Sequence, residues 1–302
     1  MKIIGVGDNM VDVYLHQGKM YPGGNSVNVP VLCHKAGADE AAYIGIFGDD
    51  VAGKLMYDSL KEEGLDISRV RVIHGQNSKN AIMLNEENDR TWAGNNFAGD
   101  CGLVQLLFNK YDIDYISSYD VLHTSVHSEI PYLLPLVKDK IMISMDFSDG
   151  YTDDRIARLC PYLDIAFFSG GGCTKEEIED TIHKALSAGT KIVVTTMGTD
   201  GSIVTDGKER IFQPAIKFNE PAVDTLGAGD TYIAAFLLEY FNTRDMSKAA
   251  LRGAQFALTS LTCTGAFGHA IPADTSGIVL KSSPEYSYQI VIENRGFYTS
   301  CL

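Results

Sequence analysis

Asp224-Thr225-Leu226-Gly227-Ala228-Gly229-Asp230 runs without a break into the apolar stretch Thr231-Tyr232-Ile233-Ala234-Ala235-Phe236. Small residues stand between two carboxylates, where a helix should begin. Gly227 and Gly229 allow a sharp turn and close approach of the backbone to a ligand. The first amides of a helix have no partners inside it, and the helix dipole adds partial positive charge there. The segment therefore predicts a cradle for an anion with a carboxylate beside it. That pairing suits phosphoryl transfer, with amides for charge on the phosphate and a base for the attacking hydroxyl.

The remainder of the chain can support such a site. With 302 residues, it has room for one large α/β domain or two ordinary ones. A hydrophobic share of 45% allows a substantial core. The net charge of −14, with no basic run, argues against a nucleic-acid partner. Six cysteines include no C-x-x-C pair, which predicts reduced thiols in a cytoplasmic protein. Met1–Met10 reaches Asp8 before a signal-type apolar stretch could form. No apolar run approaches the ~20 residues of a membrane span.

Short apolar strands are expected at 2–6, 41–47, 121–124, 141–146, 165–168 and 191–196. Helices are expected at 24–35 (with Pro30 as a kink), 49–63, 130–138, 153–162, 174–187, 228–241 and 248–262. This alternation predicts a parallel sheet covered on both faces. Residues 11–21 and 78–95 break the rhythm with polar alternation and a turn-rich Asn85–Asp89, and are read as a small β flap. From Pro272 the chain becomes Ser- and Tyr-rich, with a candidate strand at 288–292. This end is compatible with an edge strand, a contact arm or a tail.

Three further motifs carry chemistry. Tyr21-Pro22-Gly23-Gly24-Asn25-Ser26-Val27-Asn28 sets two glycines before a helix whose Asn25 and Asn28 offer donors and acceptors for sugar hydroxyls. Asp8 and Asp12 follow the first strand, at the end of a parallel sheet where ligands bind. Thr195-Thr196-Met197-Gly198-Thr199-Asp200-Gly201-Ser202 is a glycine-bearing loop between strands, suited to nucleotide phosphate and ribose. Each also has a plainer reading as a cap or turn.

Taken together, DTLGAGD and the upstream GGNSVN resemble the PfkB, or ribokinase-like, carbohydrate kinases, over roughly residues 1–270. The resemblance implies a three-layer α/β/α domain with a central, mostly parallel sheet and a small β-strand lid from 11–21 and 78–95. Residues 271–302 are left as a C-terminal extension. It implies Asp230 as the general base and Gly227, Ala228 and Gly229 as the anion hole. Asp8, Asp12, Gly24, Asn28 and Arg90 would hold the sugar, and Thr196, Gly198, Gly201 and Gln255 would lie by the nucleotide. ATP and Mg2+ are the implied cofactors. A K+ ion near Asp224 and a homodimer paired through its flaps occur in some relatives and stay open here. GDNMVDVY (7–14), GGNSVNVPV (23–31), IGIFGDDVAGK (44–54), GLDISRV (64–70), NDR (88–90) and DFSD (146–149) narrow the resemblance to members that phosphorylate the 6-hydroxyl of fructoselysine or a related ketose-amine. Another sugar or nucleoside, or a catalytically silent sugar-binding relative, are the alternatives.

One departure stands out. Many members carry N-x-x-E after the strand ending Phe167-Phe168, where it organises the metal through waters; this chain has Ser169-Gly170-Gly171-Gly172, leaving Glu176 or Glu177 as substitutes. Gly48–Lys54 mimics a phosphate-binding P-loop, yet Leu55 stands where a hydroxyl must ligate magnesium, so Asp49 or Asp50 is read as a helix cap. Gly5-x-Gly7 lacks the third glycine of a dinucleotide fingerprint. His123 and His127 lie on a strand running into a loop, a poor geometry for zinc.

Overall fold

Along the central strands, successive side chains alternate between two separate cores. Ile3, Val121, Phe167 and Val194 turn to one side and pack with Val27, Val31, Ile233 and Phe236. Ile4, Leu122, Phe168 and Val193 turn to the other, against Leu134, Leu159, Ile178 and Ile182. A sheet that is apolar on both faces must be covered on both. Helices Asn25–Lys35, Val51–Glu62, Ala228–Thr243 and Met246–Ser260 form one layer. Lys110–Ile116, Leu134–Val137, Asp153–Leu159 and Lys175–Ala188 form the other. Each fully buried large apolar side chain adds about 1.5–3 kcal/mol.

This computed structural model describes residues 1–84, 90–220 and 222–282; for Leu84 and Arg90 it describes the backbone alone. The acidic flap residues Glu86, Glu87 and Asp89 and the candidate strand at 288–292 lie outside the described residues. The main sheet has the order Arg210–Gln213, Ser202–Thr205, Ile192–Thr196, Ile165–Ser169, Met142–Asp146, Val121–Ser125, Lys2–Val6, Glu40–Ile44. The strands from Ile192–Thr196 onward are parallel, and the first two are an antiparallel edge. The expected three-layer α/β/α architecture is present.

Met10–Tyr14, Lys19–Gly23, Lys79–Leu84 and Arg90–Asn95 pair into a second sheet, flanked by the short strands Ile271–Pro272 and Val279–Leu280. Val11, Val13 and Met20 anchor this lid in the first core. Lys79, fully buried, donates to Asp274 Oδ2 at 3.0 Å and Ser276 Oγ at 3.1 Å, tying the lid to the segment after residue 270. A buried ammonium requires such partners, since an unpaired charge there is costly.

Several boundaries differ from expectation. The helix expected over 130–138 shrinks to Leu134–Val137, because Pro131 and Pro135 cannot supply helical N–H groups. The helix expected over 153–162 ends at Leu159 and tightens into a 3₁₀ turn, Cys160–Tyr162, at Pro161. Pro30 stays inside Asn25–Lys35 and cannot donate to the Ser26 carbonyl. That carbonyl faces Gly5, where a Cβ would collide with it and lie 2.8 Å from Pro30 Cγ. Glycine at position 5 thus lets strand and helix touch. Asp50 caps Val51–Glu62, accepting from the Gly53 amide at 2.8 Å, a contact worth about 1 kcal/mol. The P-loop-like stretch is therefore an ordinary helix start.

Candidate active site

Strand order reverses at Lys2–Val6, which has Glu40–Ile44 on one side and Val121–Ser125 on the other. A crevice opens at such a switch point, beyond the carboxyl ends of the strands. Asp8 lies there, its Oδ1 accepting from Ser26 Oγ at 2.6 Å, Ser125 Oγ at 2.7 Å and Ser128 Oγ at 2.9 Å. Gly24 adopts φ 98°, and a Cβ on it would sit 2.7 Å from Asn9 Cα. This close approach sets the start of Asn25–Lys35 against the Asp8 loop.

Opposite it begins Ala228–Thr243. Val51–Glu62, Lys175–Ala188 and Met246–Ser260 are capped by the side chains of Asp50, Thr174 and Asp245, but Ala228–Thr243 starts on Gly227 with no side-chain cap. Gly227 has φ 81°, and a Cβ there would lie 2.9 Å from Ala266. A Cβ on Gly229 would meet no atom within 4 Å, so the space over the first turn is open. The Ala228 amide leans back to Thr225 O at 3.3 Å, a long bond that a stronger acceptor can displace. Uncapped amides, the dipole and an open cradle fit a phosphoryl group.

Asp230 sits in that first turn. Its Oδ1 accepts from Asn25 Nδ2 at 2.7 Å and its Oδ2 from Asn28 Nδ2 at 2.7 Å. Burial pushes its carboxyl above the ordinary carboxylate range, the Asn28 and Asn25 donors pull it back, and Asp8 adds to the rise. Asn25 Nδ2 also donates to Asp146 Oδ2 at 3.0 Å. Asp146 is pushed up to about 7, mainly by burial, with Asp230, Asp8 and Asp149 adding to the rise and a bond from the Ser148 amide opposing it. Asn25 Oδ1 lies 2.7 Å from Nε2 of His123, whose Nδ1 is 3.0 Å from Ser144 Oγ. Asn28 Oδ1 is buried without a partner among the described residues. A buried polar atom left unpaired costs about 1–3 kcal/mol, which a ligand hydroxyl would relieve.

The lid reaches the same place. Tyr14 donates its hydroxyl to Asp224 Oδ2 at 2.7 Å, and Asp224 also accepts from the amides of Leu226 and Gly265. Leu226 packs on Tyr14, Tyr21 and Ile82 of the lid. Asp12 is buried within the lid sheet, against Gly23. Arg90 lies on a lid strand, and its side chain is outside the described residues.

On the far side, Thr196 ends its strand in register with Ser169, and its carbonyl accepts from the Gly170 amide at 2.8 Å. The Ser169–Gly172 turn thus lies beside Thr196. Gly198 and Gly201 take φ 57° and 97°, and a Cβ on Gly201 would run into Gln213 O. Gln255 is exposed on Met246–Ser260. Glu177 is committed to a capping box, accepting from the Thr174 amide at 2.7 Å, and Glu176 is exposed. Among the described residues no group of three or more His, Cys, Asp or Glu could hold a metal ion.

Sequence reasoning did not assign roles to Asp146 and His123, and read Asn25 as a contact for sugar hydroxyls. Position at the carboxyl end of a parallel strand, which singled out Asp8, applies equally to Asp146 and was the available signal. Nothing local marks His123, whose ring contacts lie 21 and 98 residues away.

The sequence profile of the pfkB family carbohydrate kinases matches residues 2–273. The chain is 38% identical over 272 residues to the fructosamine kinase FrlD of Bacillus subtilis (strain 168), covering 90% of this chain and 95% of that one. It is 31% identical over 268 residues to the fructoselysine 6-kinase of Escherichia coli (strain K12), covering 87% and 98%. In fold it is similar to the Arabidopsis thaliana ribokinase solved with ribose and ATP, at a TM-score of 0.74 and 19% identity, covering 91% and 96% of the two chains.

Proposed function

The chain belongs to the pfkB family of carbohydrate kinases and is an ATP-dependent sugar kinase; we propose that its acceptor is a ketose-amine, fructoselysine, phosphorylated on the terminal 6-hydroxyl. The observation that carries the chemistry is Asp230 in the uncapped first turn of Ala228–Thr243, with both carboxylate oxygens held by carboxamides. The sugar would lie between Asp8, Asp12, Gly24 and Asn28, its terminal hydroxyl against Asp230. That carboxylate takes the proton as oxygen bonds to the γ-phosphorus and the bond to ADP breaks. Amides at 227–229 stabilise charge on the transferring group. Thr196, Gly198, Gly201 and Gln255 would border the nucleotide. Magnesium would be held by the phosphates of ATP and by water.

Support for a ketose-amine over a plain ketose comes from the names of the two curated relatives. Free thiols at Cys33, Cys101, Cys160, Cys173 and Cys263 suit a cytoplasmic setting. Among the described residues no helix is long and apolar enough to cross a membrane.

The test incubates purified protein with magnesium-ATP and a panel of fructoselysine, other fructosamines, fructose, ribose and nucleosides, following ADP release and locating the phosphorylated carbon by NMR. Fructoselysine 6-phosphate as the favoured product is expected. Equal efficiency on fructose overturns the acceptor assignment, and ATP turnover with no sugar accepted favours a silent relative.

A further inference from the structure

We propose that His123 is a positioning residue for phosphoryl transfer, holding the Asn25 carboxamide in the one orientation that presents its amino group to Asp230 and Asp146. The inference rests on Asp230 as the base.

His123 is fully buried on the central strand Val121–Ser125, on the side of the sheet that faces Asn25–Lys35. Its two ring nitrogens have different partners. Asn25 Oδ1 can only accept, so Nε2 carries the hydrogen, and Nδ1 must then accept from Ser144 Oγ. Burial favours this neutral form, lowering the imidazole to about 3. The orientation of Asn25 thus selects the tautomer, and the Ser144 hydroxyl, able to donate or accept, completes it by donating to Nδ1.

A carboxamide has two orientations of nearly equal shape. With Oδ1 on His123, Nδ2 reaches Asp230 Oδ1 at 2.7 Å and Asp146 Oδ2 at 3.0 Å. Rotation by half a turn would press Oδ1 against two carboxylate oxygens and set the amino group against Nε2–H. The carboxylate end of the flipped state is repulsive; at the other end the flip would force His123 into its second tautomer, in which Nδ1 donates and the Ser144 hydroxyl hydrogen loses the acceptor it has now. Without that donor only the carboxylates would orient Asn25, and as each takes up a proton the bias would fade. A buried imidazole is an expensive residue on a strand where an aliphatic one packs at no polar cost. Its polar contacts lead to the base through a single side chain.

The sign of the expected pH effect follows from Asn25's bond to Asp230. Donation to the ionised carboxylate favours that form, so loosening Asn25 raises the proton affinity of Asp230 and moves the acid limb of kcat/KM to higher pH. His123→Leu should lower kcat about 10- to 100-fold, with KM for ATP within about twofold, the scale of one well-placed hydrogen bond. His123→Gln, whose amide nitrogen falls where Nε2 stands, should restore most of the rate. In an Asn25→Ala background, His123→Leu should cost less than about twofold more, because the residue through which it acts is already gone.

Additive losses in that double variant, or an unmoved acid limb with near-normal kcat in His123→Leu, overturn the proposal. If His123→Leu does not fold, the comparison passes to His123→Gln and His123→Asn. The shorter amide mimics Nδ1 and cannot reach Asn25, so equal rates and equal acid limbs would overturn it as well. Asp230→Asn separates the two levels: near-normal turnover there removes the base itself, whereas its inactivity with an indifferent His123 leaves the base standing and removes only the positioning role.

Discussion

Replacing Asp146 with Asn isolates the cost of crowding a second carboxylate beside Asp230. The Asp146 carboxyl is raised from 3.8 to about 7, chiefly by burial and then by Asp230, Asp8 and Asp149. The folded protein thus binds a proton there more tightly than the unfolded chain, so stability falls as pH rises from about 4 to about 7. With each tenfold change in proton affinity worth about 1.4 kcal/mol, the ionised side chain costs on the order of 4 kcal/mol above pH 7. Near pH 5 little more than a third of that cost is present. The uncharged carboxamide of Asp146→Asn removes it. The variant also loses an acceptor, since Asp146 now serves both the Ser148 amide and Asn25 Nδ2, and one unsatisfied donor costs about 1–3 kcal/mol. That loss is independent of pH, so the informative quantity is the change with pH. Urea unfolding of both proteins at pH 5, 6, 7 and 8 should show the variant gaining about 2–3 kcal/mol on the wild type between the extremes. Parallel stability curves would refute the reasoning, because they would mean that Asp146 titrates alike in the folded and unfolded states.

Gly227→Ala should destabilise the protein by about 1–3 kcal/mol, from the positive φ of 81° and the Ala266 contact at 2.9 Å, and should lower kcat more than sugar affinity; thermal melts and steady-state kinetics check both. Tyr14→Phe removes the lid's hydrogen bond to Asp224 while keeping the ring against Tyr21 and Leu226. It should cost about 1 kcal/mol or more of stability and reduce kcat several-fold, seen in the same assays, because the lid then closes less firmly on the anion cradle.

What the sequence made legible was whatever repeats locally. Apolar runs such as 2–6 and 191–196 marked the parallel strands, and glycines before Asn25 and Asp230 marked where helices meet the crevice. Polar alternation at 11–21 and 78–95 marked the lid. Residues whose meaning lies across the fold stayed hidden. Asp146 reads as an ordinary strand end until Asn25 is brought 3.0 Å away, and His123 reads as a plain strand histidine until Asn25 Oδ1 lies 2.7 Å from its Nε2. Ile271–Pro272 and Val279–Leu280 are two-residue strands, too short for any period, and exist only because the lid offers an open edge. Lys110–Ile116 escaped notice because its charged and aromatic residues give little amphipathic pattern over seven positions, although its Asn109–Asp112 capping box was a usable signal.

The most direct test of a base standing at a phosphate cradle is single-turnover phosphorylation by Asp230→Asn. Loss of about 10²- to 10⁴-fold in rate, with fold and ATP affinity retained, is the predicted result. Turnover within a few-fold of wild type would contradict it.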